Sequence, residues 1–91
     1  MAQAVIIDRL DNVATATAEL QRGDVVELPG YSITIAEDIR FGHKFALYAI
    51  PVGGQVIKYG ESIGRATADI APGAHVHVHN VESLRGRGDL V

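Results

Sequence analysis

One frame recurs three times in this 91-residue chain and limits what it can fold into. ELQRGDVV (19–26), AIPVGGQVI (49–57) and DIAPGAHVH (69–77) each place an aliphatic residue, two variable residues, a glycine, two further residues and a valine. Leu20–Gly23–Val26, Ile50–Gly53–Val56 and Ile70–Gly73–Val76 satisfy it. The pattern describes a chain that enters a tight turn, passes through a glycine able to adopt positive φ, and leaves as a strand. The copies fall at unequal intervals, which excludes a solenoid and points to repeated corners in a folded-over β structure.

The segments around these corners agree. QAVIID (3–8), NVATATA (12–18), GDVVELPG (23–30), YSITIAED (31–38), KFALYAI (44–50), QVIKYG (55–60) and AHVHVH (74–79) are short β-favouring runs. Tyr31, Ile33 and Ile35 share one face, Asp11-Asn12 is turn-prone, and Pro29-Gly30 marks a tight turn. A helical turn has room only around Ser62–Thr67 or Ala36–Phe41, and no sustained 3.6-residue period exists. The expectation is one all-β domain over residues 1–81, with long bent hairpins, followed by a mobile tail, 82–91. Its core must come from Val, Ile, Leu and Ala, because aromatics make up 5% of the chain and tryptophan is absent.

Composition removes several functions. A net charge of −3 and the lack of a basic, aromatic-interleaved stripe argue against nucleic acid or an anionic membrane as the main partner. Without cysteine there is no disulfide scaffold, thiolate metal site or cysteine nucleophile. No apolar run approaches the ~20 residues of a membrane-spanning helix, and MAQAVIIDRLD lacks the basic start of a signal peptide. A soluble cytoplasmic protein is the expectation. P-loop, GxSxG and HExxH motifs are missing, and Arg87-Gly88-Asp89 reads as chance.

Three of the four histidines, His75, His77 and His79, alternate in AHVHVHNV (74–81) and are followed by Asn80. As a strand, this segment sends Val76 and Val78 into a core and the imidazoles to the other side, with backbones roughly 6.5–7 Å apart at alternate positions. Two such rings can converge on one ion or anion; a solvated face that uses histidine is the plainer alternative. Phe41-Gly42-His43-Lys44 opens one strand and Ile57-Lys58-Tyr59-Gly60-Glu61 closes another. Solvated lysines and a packed tyrosine explain these as well. Together His43, Lys44, Lys58, Tyr59 and Asn80 offer donors suited to a carboxylate or a hydroxyl-rich anion.

LDNVATATAEL (10–20), GHKFAL (42–47), VIKYGESIG (56–64) and TADIAPGAHVHVHN (67–80) resemble the N-terminal domain of the altronate and galactarate dehydratase family, and also the small subunit of sulfolactate sulfo-lyase. The turn frame resembles the SAF (antifreeze-protein-like) domain, whose fold is the β-clip. The resemblance implies lyase chemistry: a base removes the proton α to a carboxylate while a divalent metal, Fe²⁺ or Mn²⁺, stabilises the charge that develops. It marks the histidines, the lysines, Tyr59 and Asn80 of these motifs as active-site candidates without dividing metal from substrate. By side-chain chemistry His75, His77 and His79 are the metal candidates and His43, Lys44, Lys58, Tyr59 and Asn80 the substrate-binding candidates. It does not assign a catalytic base. Because the dehydratases continue into a much larger catalytic domain, this chain is expected to be inactive alone and to need a large catalytic subunit. A sulfo-lyase small subunit and a non-catalytic sugar-acid-binding module are the alternatives. Self-association is compatible with either.

Overall fold

The computed structural model describes residues 3–83. Within them the chain forms nine strands and no helix: β1 (Ala4–Val5), β2 (Val13–Ala16), β3 (Val25–Leu28), β4 (Tyr31–Thr34), β5 (Lys44–Ala46), β6 (Gln55–Lys58), β7 (Glu61–Ala66), β8 (His75–Val76) and β9 (Val81–Ser83). They pair antiparallel in three sheets, ordered β1-β2-β5-β8, β3-β4 and β6-β7-β9. The all-β expectation holds. Two local expectations do not: Ser62–Thr67 is mostly strand β7, and 36–41 is a turn region without a helix. Glu82 and Ser83, which the sequence reading put in the tail, belong to β9 and pair with Arg65 and Gly64. The remainder of that tail lies outside the described residues.

The recurring frame is the skeleton of the fold, and it occurs four times. The copy that sequence inspection misses is Ile39–Gly42–Phe45, where phenylalanine replaces the closing valine. Leu20 bridges Ile39, and Ile50 bridges Ile70. The four glycines have φ of 94°, 85°, 85° and 80°, the left-handed region that a residue with a Cβ enters only at a cost. Each glycine N–H donates across its pair, Gly23 to Ile35, Gly42 to Ala16, Gly53 to Ala66 and Gly73 to Ala46, all at 2.8 Å. A carboxylate caps three of the turns: Asp38 accepts from Arg22 N–H, Glu19 from Phe41 N–H and Asp69 from Val52 N–H. At the fourth the corresponding residue is Pro72, which has no N–H, and the residue opposite is Ala49, which has no carboxylate.

The turns bring their aliphatic residues into two cores on opposite faces of the four-stranded sheet. Period-2 alternation sends Ala14, Ala16 and Phe45 to one face, with Leu20, Ile33 and Ile39. It sends Val13, Ala46 and Val76 to the other, with Ile50, Val56 and Ile70. Phe45, Val56 and Val76 are fully buried. Tyr31 packs beside the first core, on the face shared with Ile33 and Ile35.

Asp11 and Asn12, buried polar residues, tie the two halves together. Asn12 Nδ2 donates to the Gln55 carbonyl, and its Oδ1 accepts from Ile57 N–H, both at 2.8 Å. Asp11 accepts from Gly60 N–H at 2.8 Å and from Asp8 N–H at 3.0 Å. Two hairpins follow their turn chemistry. Pro29-Gly30, with Gly30 at φ 81°, makes a type II turn, and Tyr59-Gly60, with φ of 59° and 73°, makes the type I′ turn between β6 and β7.

Candidate functional site

The antiparallel pairing of β5 with β8 sets Phe45 opposite His75 and Lys44 opposite Val76. One more step of that register brings His43, at the mouth of the second turn, opposite His77. The rings meet accordingly. The His43 and His77 centroids are 4.6 Å apart at 13°, His43 and His75 are 5.1 Å apart at 20°, and His75 and His77 are 5.1 Å apart at 13°. His43 Nδ1 lies 2.9 Å from His75 Nε2. One of these nitrogens must donate and the other accept, so the contact needs at least one neutral imidazole.

The strand expected over 74–79 ends at Val76, and this corrects the sequence reading. Asn80 folds back and closes a turn: its Oδ1 accepts from His77 N–H at 2.9 Å, its Nδ2 donates to the His75 carbonyl at 2.8 Å, and its own N–H donates to the His77 carbonyl at 3.0 Å. Val76 is buried as expected, but Val78, expected in the core, is 82% exposed on this turn. His79 approaches only His75 among the rings, at 5.3 Å and 40°. Among the described residues the group able to hold a metal is therefore His43, His75 and His77, whose ligand nitrogens all lie within 4.8 Å of one another.

Three imidazoles make a donor set suited to a borderline divalent ion, with carboxylate, water or substrate completing the shell. His75 and His77 are also shifted toward the neutral form, the form that ligates. Burial lowers the pKa of His75, helped by His43, His77 and His79, while Glu37 acts in the opposite direction. Burial lowers that of His77 as well, followed by His43, Lys44 and His79.

Lys44 stands beside the cluster. Burial lowers its pKa and the charge of Lys58 adds to that. Lys58 carries its Nζ 4.9 Å above the Tyr59 ring, which is exposed at the hairpin tip. An open pocket of about 260 Å³ adjoins the site, lined by Lys44, His77 and Ser83 together with Ile63, Val76, Val78 and Val81. A larger groove of about 440 Å³, between residues 4–9 and the β3–β4 hairpin, carries none of the candidate residues. The structure thus gathers His43, Lys44, His75 and His77, leaves His79 at the margin, and engages the side-chain oxygen and nitrogen of Asn80 in the turn. Sequence reasoning missed Glu37, whose Oε2 accepts from His75 N–H at 3.1 Å. No motif flags it, because the contact spans 38 residues.

Residues 2–84 match the altronate/galactarate dehydratase SAF domain family. The chain belongs to that family. Altronate dehydratase of Escherichia coli (strain K12) is 49% identical over 81 residues, which is 89% of this chain and 16% of that protein. Altronate dehydratase of Bacillus subtilis (strain 168) is 40% identical over 83 residues, 91% of this chain and 17% of that protein. The SAF-family chain therefore spans about one sixth of these enzymes. It is also 46% identical over 55 residues to (2R)-sulfolactate sulfo-lyase subunit alpha of Paracoccus pantotrophus, 60% of this chain and 82% of that subunit. Among the described residues no helix is long and apolar enough to cross a membrane.

Proposed function

We propose that this chain is the small subunit or N-terminal domain of a cytoplasmic sugar-acid dehydratase of the altronate type, whose active site is completed by a large catalytic subunit or domain. The observation that carries this reading is the convergence of His43, His75 and His77 beside two lysines, on a chain that spans one sixth of the altronate dehydratases it resembles. His43, His75 and His77 would hold a divalent metal, Fe²⁺ or Mn²⁺, with His79 at the rim. Such an ion supplies Lewis-acid polarisation of a substrate oxygen.

The chain's other residues suit an anion. Burial and then the charge of Lys58 disfavour the ammonium of Lys44, and a sugar-acid carboxylate placed beside it relieves both. Tyr59 can bond a substrate hydroxyl, and the adjoining pocket offers apolar side chains next to Lys44. The base that abstracts the proton is assigned to the partner.

A second reading, the alpha subunit of a sulfolactate sulfo-lyase, is favoured by the 82% of the Paracoccus subunit that this chain covers. One assay separates these from a non-catalytic sugar-acid-binding module. The purified chain alone should turn over neither altronate, galactarate nor sulfolactate. Addition of the large partner with Fe²⁺ or Mn²⁺ should produce activity on one of them. Lys44→Met should then raise KM on the order of ten- to a hundredfold, the loss expected for one charge-assisted contact. Turnover by the chain alone refutes the split site, and no activity with the partner leaves the binding module.

A further inference from the structure

β8 lies at an edge of its sheet, with β5 on its inner side. The ladder bond beside it runs from Ala46 N–H to the Ala74 carbonyl at 3.0 Å. Phe45 and His75 therefore form the non-hydrogen-bonded pair of the antiparallel ladder, and the N–H and C=O of His75 point away from β5. Two side chains meet them there. Glu37 Oε2 accepts the N–H at 3.1 Å, and Asn80 Nδ2 donates to the carbonyl at 2.8 Å. Asn80 Oδ1 holds the next outward group of the site, the N–H of His77, at 2.9 Å.

Glu37 is delivered to this edge by the segment after β4. Ala36 N–H donates to the Gly73 carbonyl at 2.9 Å. The Thr34 carbonyl lies so near Gly73 that a Cβ there would stand 2.1 Å from its oxygen. Residues 34–36 thus pass against Gly73, just before β8, and the Glu37 carboxylate reaches the outer edge of β8 itself.

We infer that Glu37 and Asn80 are positioning residues of the histidine site: they fix the backbones of His75 and His77, on which the stacking of those rings against His43 depends. The inference rests on the reading of these histidines as a site, and it takes the outward backbone of His75 as the place where that site is tuned. Glu37 acts through a hydrogen bond to a main-chain N–H, so a neutral carbonyl acceptor can replace it.

The test uses the full 91-residue chain, with Glu37→Ala, Glu37→Gln and Asn80→Ala. Imidazole carbon and proton resonances are recorded by NMR at one pH above the imidazole range, and each sample is then titrated with Co²⁺. Stacked rings shift one another's resonances. In Glu37→Ala and Asn80→Ala the signals of His43, His75 and His77 should move toward free-histidine values. Co²⁺ affinity should fall about 10- to 100-fold, the usual effect of removing an outer partner of a ligand. Glu37→Gln should restore both, and thermal unfolding of Glu37→Ala should stay close to that of the parent. Unchanged ring signals and Co²⁺ affinity in both alanine variants overturn the inference, as does failure of Glu37→Gln to restore them. If the parent binds no Co²⁺ while both alanine variants move the ring signals toward free-histidine values, the positioning role stands and the metal reading falls.

Discussion

Val76 and Val78 are two residues apart and have opposite fates. Val76 fills the second core, whereas Val78 stands on the turn that Asn80 closes. Val76→Ala should cost about 1–3 kcal/mol through lost burial and a residual cavity, and Val78→Ala should fall within about 0.5 kcal/mol of the parent. Denaturant unfolding of both variants checks the contrast. The histidines make a pH prediction of definite sign. His75 and His77 have lowered pKa values in the fold, so the folded state binds their protons less readily than the unfolded chain. Their contribution is fully present above the ordinary imidazole value of about 6.5 and is lost as pH falls below it. The midpoint of thermal unfolding should drop between roughly pH 7 and pH 5, and the drop should be smaller in His77→Gln. An equal drop in parent and variant would assign the acid sensitivity to other groups.

At the scale of elements, the sequence showed the corners more clearly than the strands. Three of the four turns were legible because glycine and valine hold fixed offsets. Ile39–Gly42–Phe45 is hidden because it closes on phenylalanine where the other three close on valine; the position asks only for a side chain that fills the core, and Phe45 does. β7 was hidden because Gly64 sits mid-strand, where Val81 and Glu82 approach too closely for a Cβ. The histidine row was read as one long strand because alternation is a local signal, and the bonds of Asn80 that end the strand cannot be seen in periodicity. That His43, Lys44, His75 and His77 are candidates is legible in the motifs, but the grouping of His43 with His75 and His77, in place of His79, is not, because it depends on the register of β5 with β8. Nor is the partner Glu37, since a contact across 38 residues leaves no local trace. The turns themselves separate two costs. Gly53 and Gly73 have φ of 85° and 80°, but nothing lies within 4 Å of a Cβ at Gly53, whereas one at Gly73 meets the Thr34 carbonyl. Gly53→Ala should cost roughly 1–2 kcal/mol from the left-handed backbone alone. Gly73→Ala should cost clearly more and disturb the edge that Glu37 covers. Equal unfolding midpoints for the two would contradict this.

As a whole molecule, the described residues are two facing pairs of turns around a sheet buried on both sides, with the histidines at its β8 edge. This arrangement brings candidate ligands from just before β5 and from β8 and the turn after it to one half-buried corner. The same quasi-symmetry makes the fourth turn informative. Its missing carboxylate and missing N–H, at Ala49 and Pro72, are two absences that fit each other. They turn two exposed positions into a coupled pair in the genetic sense. Ala49→Asp alone adds a charge with no donor to meet, and Pro72→Ala alone frees an amide with nothing to cap it while loosening the turn. Made together, they complete the fourth cap, for which about 0.5–2 kcal/mol is the usual worth of such a bond. A double-mutant cycle followed by unfolding should show that favourable interaction, and strict additivity would show that the two positions do not see each other. On this view, substitution histories at 49 and 72 should be correlated: an acid at one should tend to accompany a residue other than proline at the other.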